Sequence, residues 1–176
     1  MCARKNPPVL WIGSTQTSLG EVWVAVSEAG LAAVEIGTTR QLFAAQLNQQ
    51  GSSELILDPQ RTGEACAQIR AYLAGERTQF DLQLDWSVLT EYQAKVLAAT
   101  YAVPYGSTLT YGELAAQLGN PRAARAVGRA EATNPIPLVL PCHRIVGQDG
   151  SLRGYGTAAG VETKAWLLEL ESSHKV

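Results

Sequence analysis

The sequence is poor in cysteine and histidine, and the few that occur lie far apart. Among 176 residues there are three cysteines, Cys2, Cys66 and Cys142, and two histidines, His143 and His174. An odd number of widely spaced cysteines argues against a disulfide framework and fits a reducing compartment. There is no CxxC or HxxxH pair, which is the usual ligand spacing of a zinc site. We therefore expect neither a bound metal nor a cofactor.

Long apolar segments are also missing. No run of about 18 apolar residues occurs, and the start "MCARKNPPVLW" lacks the apolar stretch of a signal peptide. Apolar residues make up 46% of the chain and charged residues 17%, which is typical of a folded globular protein rather than a disordered one. We expect no membrane contact and a place in the cytoplasm or with the nucleoid.

Negative charge is scarce in one part of a chain whose net charge is only −2. Between residues 119 and 145 a single acidic residue, Glu131, stands among four arginines. These are Arg122, Arg125, Arg129 and Arg144. The stretch predicts a modest basic patch, suited to local contact with phosphates rather than to general binding of polyanions.

The first half of the chain predicts a small α/β unit. Three β-branched and aromatic runs, "PVLWIGST", "GEVWVAVSEAG" and "GLAAVEIGT", are punctuated by turn residues as in strands joined by hairpins. One helix is predicted over residues 39–49. A second is predicted from its cap Asp58, with Pro59 in first position, up to Gly75. Its apolar face contains Ala65, Ile69, Tyr72 and Leu73, and we interpret Cys66 as a small buried residue of this helix.

The second half, from about residue 89, is predicted to be mostly helical. Thr90 can cap one helix, which ends before Pro104 and Gly106. Thr110 and Glu113 form a capping box for the next helix, with Leu114 and Leu118 on one face. Asn120 is then predicted to cap a further helix that begins at Pro121 and runs to residue 132. Two short helices joined by a tight turn are typical of a helix-turn-helix.

The composition of that last helix leaves two interpretations open. Small residues, among them Ala123 and Ala124, would let the helix approach a groove closely while Arg125 and Arg129 reach phosphates or a base stack. The alternative is an alanine-rich helix that packs in the core and carries solvated arginines.

The segment "PCHRIV", residues 141–146, places a thiol beside an imidazole. A thiol of ordinary pKa, about 8.5, is mostly protonated at neutral pH, so a nucleophilic cysteine needs a base or a cation nearby. His143 can be that base, acting through a water, if a carboxylate orients it. Glu162, Glu169 and Glu171 of the closing helix are the candidates. Behind a helix-turn-helix, such a pair suggests chemistry on a flipped base; the alternative is a buried turn in a proline-rich connector.

Five segments of the chain resemble the O6-alkylguanine-DNA alkyltransferases, or methylated-DNA–protein-cysteine methyltransferases. They are "YGSTLTYGELA", "NPRAARAVGRA", "NPIPLVLPCHRIV", "GYG" and "KAWLLELE". The resemblance spans residues 90–172, and weaker similarity extends it to most of the chain. It implies an α+β protein, with a ribonuclease H-like α/β domain over 1–88 and a winged helix-turn-helix domain with the active site over 89–176.

The same resemblance implies the reaction and its residues. Cys142 would accept the alkyl group irreversibly from O6-alkylguanine, with O4-alkylthymine left open, and His143 and Glu171 would activate it. Asn134 would be a hinge, Tyr111 would rotate the target phosphate and donate to guanine, and Arg125 would replace the flipped nucleotide. Further DNA contacts are Ala123, Ala124 and Arg129; the pocket would be lined by Tyr155, Gly156, Pro137, Ile145 and Glu131. The partner would be duplex DNA with an alkylated base, bound through its minor groove by a monomer; clustering along DNA stays open.

Three departures from the family pattern keep alternatives open. Glu131 stands where an apolar residue or asparagine is usual, beside the expected pocket. The loop after Tyr155 is longer than the common form, so the tolerance for bulky alkyl groups is not fixed, and Glu169 is the fallback for Glu171. No counterpart of the zinc site of some relatives is present. A non-catalytic sensor of alkylated DNA and, more remotely, a cysteine hydrolase are the competing functions.

Overall fold

A four-stranded sheet forms the N-terminal half of the computed structural model, which describes residues 9–51, 54–152 and 160–174. The three predicted strands are confirmed and pair as consecutive antiparallel hairpins. They are β1 (Val9–Thr17), β2 (Gly20–Ser27) and β3 (Gly30–Ile36). A fourth strand, β4 (Glu54–Leu57), was not predicted; it adds to β1 in parallel and gives the order β3-β2-β1-β4.

Two helices cover opposite faces of this sheet. They are α1 (Arg40–Gln49) and α2 (Pro59–Leu73). The predicted cap Asp58 is confirmed, since its side chain accepts from two amides of α2, and Thr39, for which no cap was predicted, accepts from an amide of α1. Alternate side chains of β2 divide between the faces, because Trp23 packs with α1 whereas Val22 and Val24 pack with α2.

The C-terminal half is mostly helical, as predicted. Its helices are α3 (Glu91–Tyr101), α4 (Tyr111–Gln117), α5 (Ala124–Ala132) and α6 (Gly160–Ser173). A parallel pair of two-residue strands, β5 (Leu109–Thr110) and β6 (Ile145–Val146), joins the start of α4 to the segment after Cys142. The capping boxes at Thr90 and Thr110 are both present.

The start of α5 differs from the prediction. Asn120 makes no side-chain cap, and Pro121–Ala123 forms a 3-10 turn before the α-helix begins at Ala124. The Ala123 amide donates to the Asn120 carbonyl at 2.9 Å, which closes the tighter turn instead of a first α-helical turn. On α4, Leu114 is buried as predicted but Leu118 is 36% exposed, since it already lies at the turn that ends the helix.

The two halves share one apolar core. Tyr72 and Ile69 of α2 lie in the same buried cluster as Leu97 of α3 and Leu167 of α6. The Val34 amide of β3 donates to the Pro135 carbonyl at 2.9 Å, so the sheet is also hydrogen-bonded to the segment that leads to Cys142. None of the helices in the described ranges has the length and apolar character needed to cross a membrane.

Candidate functional site

A braced turn holds Cys142. Leu138, four residues earlier, is buried with φ at +72°, a left-handed conformation that is rare for a bulky residue and that marks local strain. The Asn134 amide nitrogen donates to the Leu140 carbonyl at 2.8 Å and to the Cys142 sulfur at 3.1 Å. Its oxygen accepts from the Ile136 amide at 2.9 Å. Asn134 therefore fixes the turn and contacts the thiol, while its role as a hinge stays a prediction.

The thiol of Cys142 is buried, with 3% exposure. Burial and the charge of Glu131 raise its pKa to about 12, against the opposing effects of the Asn134 amide and the Lys164 ammonium. In the free chain the sulfur is therefore a protonated thiol at neutral pH. It needs a base to become a nucleophile, because only the thiolate attacks.

His143 lies against Glu171, both of them fully buried. The distance from His143 Nε2 to Glu171 Oε1 is 2.5 Å. Burial lowers the pKa of His143, so the ring is neutral at pH 7. Burial opposes ionisation of Glu171 too, but hydrogen bonds from His143 and Tyr72 and the charge of Arg144 lower its pKa to about 2. A neutral ring that donates from Nε2 to this carboxylate has its basic lone pair on Nδ1.

Of the three candidate carboxylates, the structure brings only Glu171 to the histidine. Glu162 and Glu169 are exposed on the outer face of α6. The sequence pattern alone left this choice open, because it does not fix how α6 is rotated against the cysteine turn.

Two further residues join Glu171 that were not predicted as site residues. The Tyr72 hydroxyl of α2 donates to Glu171 Oε1, and Arg144 Nε donates to Oε2 at 3.1 Å. Tyr72 was predicted only as part of an apolar face, and its hydroxyl was the overlooked signal. Arg144 was wrongly assigned to the basic patch, because its side chain is buried by its pairing with Glu171.

Lys164 of α6 is a third residue without a predicted role. It is fully buried, and its Nζ donates to the Ile145 carbonyl at 2.5 Å and to the Tyr111 hydroxyl at 3.3 Å. Its charge lowers the pKa of Cys142. Lys164 thus connects Tyr111, at the start of α4, with the thiol.

Glu131 is buried in α5, with 1% exposure, rather than placed at the surface of a pocket. The Thr100 hydroxyl of α3 lies 2.5 Å from Glu131 Oε1. Burial raises the pKa of Glu131 to about 7, opposed by the Thr100 hydrogen bond and by the Lys164 charge. The effect of Glu131 on the pKa of Cys142 is consistent with its predicted place beside the site. Its side chain, however, points into the protein interior and does not line the groove.

A groove of about 810 Å³ runs between α4, α5 and the segment after β6. Its lining contains Thr110, Tyr111, Gly112, Ala124, Arg125, Gly128, Gly147, Gln148 and Asp149. Arg125 and Arg129 are exposed, and Ala123 and Ala124 are partly exposed, whereas Val127 and Ala130 are buried. Helix α5 therefore has features of both interpretations: one face packs in the core, and the other presents Arg125 to the groove and Arg129 to solvent.

The remaining predicted pocket residues fall into two groups. Pro137 and Ile145 are buried next to the cysteine turn. Tyr155 and Gly156, with the longer loop, lie outside the described residues. Within the described part of the chain no group of three or more histidine, cysteine or acidic side chains is placed to hold a metal ion.

Two family models match the chain. One is the DNA-binding domain of 6-O-methylguanine DNA methyltransferase, over residues 91–173, and the other is the ribonuclease-like domain of that family, over residues 10–86. Both halves of the fold are thus matched in the order in which they occur.

Curated relatives and a solved structure agree with these models. A Mycobacterium bovis methylated-DNA–protein-cysteine methyltransferase is 49% identical over 116 residues, covering 66% of this chain and 68% of the relative. The Salmonella typhimurium protein of the same name is 39% identical over 160 residues, covering 88% and 91%. The crystal structure of Mycobacterium tuberculosis OGT in complex with DNA matches with a TM-score of 0.79 at 38% identity, over 93% of each chain.

Proposed function

Because the chain belongs to the 6-O-methylguanine DNA methyltransferase family, we propose that it repairs DNA by moving the alkyl group of O6-alkylguanine to Cys142, once per molecule. One observation carries the proposal: a thiol held by Asn134 is adjacent in the chain to a buried histidine that pairs with a carboxylate, and helix α5 presents Arg125 to a groove. Each part of this arrangement has a task in the reaction.

DNA binding is assigned to the exposed face of α5. Its small residues allow close approach to the minor groove, and Arg125 and Arg129 supply positive charge for the phosphates. A base inside a duplex cannot reach a buried thiol, so the alkylated guanine has to be rotated out of the stack. Arg125, which lines the groove, takes its place, while Tyr111 contacts the rotated nucleotide.

The proton of the thiol moves first. His143 accepts it at Nδ1 through a water molecule, and Glu171 stabilises the imidazolium that forms, because its carboxylate already receives the Nε2 proton. The thiolate then gains the countercharge of Lys164. This order explains how a thiol whose resting pKa is about 12 can react at neutral pH.

The transfer itself is a displacement at the alkyl carbon. The sulfur of Cys142 forms a bond to that carbon, the bond between the carbon and O6 breaks, and its electrons remain on the guanine. Tyr111 gives a proton to the leaving guanine, and Lys164 at 3.3 Å stabilises the resulting phenolate. The proton that His143 took from the thiol returns through solvent to Tyr111, so overall the thiol proton is replaced by the alkyl group and one proton ends on guanine.

The product limits the protein to one use. Water activated by a histidine can hydrolyse an acyl-enzyme, but it cannot break the carbon–sulfur bond of a thioether under mild conditions. A single chain carries all the residues that have a role in this reaction, so we propose that the protein acts as a monomer.

The stoichiometry of repair tests this proposal. A duplex oligonucleotide with one O6-methylguanine is mixed with increasing amounts of protein, and the unmodified guanine formed is measured chromatographically after digestion. We expect a linear rise that stops at one guanine per protein, with none formed by Cys142→Ala and an unchanged plateau for Cys66→Ala, whose thiol lies in α2. Continued turnover would contradict the proposal. No repair together with lesion-selective binding would indicate the sensor function instead.

A further inference from the structure

Glu131 is a buried acid that the proposed reaction does not use. It lies on α5 with 1% exposure, and among the described residues its Oε2 atom has no hydrogen-bond partner. An ionised carboxylate with one unsatisfied oxygen is unfavourable in a protein interior. Burial accordingly raises the pKa of Glu131 to about 7, so both of its protonation states occur near neutral pH.

The contact with Thr100 accommodates both states. The Thr100 hydroxyl is 2.5 Å from Glu131 Oε1 and 3.1 Å from the Val96 carbonyl one turn earlier in α3. A hydroxyl has one proton to donate. When Glu131 is neutral, it donates to Thr100, which donates to Val96; when Glu131 is ionised, Thr100 turns and donates to the carboxylate. A rotation of one hydroxyl is sufficient for the exchange.

The charged groups that face Glu131 connect it to the thiol. Lys164 of α6 lowers the pKa of Glu131 and also that of Cys142, whereas the charge of Glu131 raises the pKa of Cys142. Tyr111 of α4 touches Lys164 at 3.3 Å. The contacts place these groups in one cluster: Lys164 donates to the Ile145 carbonyl, three residues after Cys142, and touches Tyr111, whose ring lies against Gly128, about one turn before Glu131 on α5. The backbone amide of Asn134 donates to the Glu131 carbonyl at 3.2 Å, and its side chain contacts the Cys142 sulfur at 3.1 Å. A second negative charge in this interior is costly.

We propose that Glu131 is a positioning residue that restrains the nucleophile, because its carboxylate competes with the Cys142 thiolate for the single positive charge of Lys164. Neutral Glu131 leaves that charge to the sulfur. Ionised Glu131 occupies it and keeps the thiol protonated. A single-use thiol is thereby protected from reaction at alkaline pH until a substrate is bound. The consequence for repair rests on the proposed function, whereas the effect on thiol ionisation does not.

Two rates measured across pH test this proposal. The first is single-turnover methyl transfer from the O6-methylguanine duplex; the second is alkylation of Cys142 by iodoacetamide without DNA, followed by peptide mass. Both are compared for the wild type, Glu131→Gln and the exposed control Glu76→Gln. Since the charge of ionised Glu131 opposes the thiolate, Glu131→Gln is expected to react roughly three- to tenfold faster at about pH 8.5. At about pH 6 it is expected to react within about twofold of the wild type, because Glu131 is then neutral.

The outcomes distinguish failure of the role assigned to Glu131 from failure of the proposed function. The proposal is overturned if the ratio of the variant rate to the wild-type rate is the same at both pH values, or if the variant is slower at high pH. A purely structural role would change the rate by the same factor at both pH values. If the wild type transfers no methyl group but its iodoacetamide rates show the expected ratio, the proposed function fails and the role of Glu131 stands. If Glu131→Gln does not fold, Glu131→Met removes the same charge with a side chain of similar length, and its pH ratio decides.

Discussion

The Glu171 carboxylate accepts hydrogen bonds from four residues. His143, Tyr72 and Arg144 donate to it, and the Gly106 amide donates to Oε2 at 2.7 Å. These donors outweigh burial and lower the pKa of its carboxyl to about 2. At the scale of single residues, the anion at the centre of the site is therefore fixed by four donors from three separate segments.

The acid dependence of stability tests this description of Glu171. Because its folded pKa is below the unfolded value, its contribution is complete above about pH 5 and is lost as the pH falls toward 2. Glu171→Gln leaves Arg144 buried without an anion, so we expect the free energy of unfolding at pH 7 to fall by about 3 kcal/mol or more. We also expect the variant to lose less stability than the wild type between about pH 5 and pH 2.

Urea unfolding at a series of pH values measures both quantities. The matched control is Glu169→Gln, an exposed glutamate of the same helix, for which the pH dependence should follow the wild type. Parallel curves for Glu171→Gln and the wild type would show that folding does not lower the pKa of Glu171.

Single residues were predictable from the sequence where chemistry is local. Cys142 and His143 follow from one short motif, because few other thiols or imidazoles compete with them. Tyr72 and Lys164 were missed, because a tyrosine on an apolar face and a lysine in a closing helix look like ordinary packing and solvent positions. Only the tertiary structure brings their polar atoms to the site.

Among the elements, α5 has two distinct faces. Val127, Ala130 and Glu131 face the interior, and Arg125 faces the groove. A helix anchored in this way holds its exposed arginine in a fixed position, which a loop would not do. The proposed function therefore requires the buried face of α5 for packing and the exposed face for contact with DNA.

Substitution of Arg125 tests the exposed face. We expect Arg125→Ala to slow methyl transfer from duplex DNA by roughly tenfold or more, because nothing then fills the space of the rotated nucleotide. Iodoacetamide alkylation of Cys142 without DNA should be unchanged, since the thiol is not touched. Arg122→Ala is the control, because it removes one exposed charge from the preceding turn and should cost about threefold at most at moderate salt. Equal losses in the two variants would mean that Arg125 contributes charge alone.

Helix ends were more predictable than strands. Asp58, Thr90 and Thr110 cap as predicted, because capping depends on a few neighbouring residues. Strand β4 was missed, since four residues that are mostly exposed give no clear alternation and its pairing partner is distant in sequence. The 3-10 turn before α5 also depends on tertiary packing.

At the scale of the whole molecule, the N-terminal half contributes to the candidate site. Tyr72 belongs to α2, yet its hydroxyl donates to Glu171 of α6 and lies 3.5 Å from His143. The same ring stacks on Phe80 with centroids 4.8 Å apart and packs edge-on against Tyr105. The orientation of the histidine–carboxylate pair thus depends on how the two halves meet.

Tyr72→Phe tests this connection while keeping the ring. Loss of the hydroxyl should lower the free energy of unfolding by about 1–2 kcal/mol, because a charge-assisted hydrogen bond to a buried carboxylate is removed. We expect a methyl-transfer rate lower by roughly two- to tenfold, since Glu171 then holds His143 less firmly. Stability is measured by urea unfolding and the rate in single turnover.

The exposed Tyr92 provides the control, as Tyr92→Phe removes a hydroxyl on α3 without a described role. A Tyr72→Phe variant that is less stable but transfers methyl groups at the rate of the wild type would limit Tyr72 to a structural role.

The family and the α+β fold predicted from the sequence are confirmed by the matches to both halves. The joining of the halves was not predictable, because the resemblance gives the order of motifs and not the side chains that meet between them. The predicted boundary near residue 88 and the roles of Tyr155 and Gly156 stay predictions.

The most direct test of alkyl transfer to Cys142 is the mass of the protein after reaction with an O6-methylguanine duplex. We predict that the intact mass increases by one methylene group, that the increase is confined to the peptide containing Cys142, and that it stops at one per chain. An unchanged mass, or a methyl group found on Cys66 or any other residue, would contradict the proposed reaction.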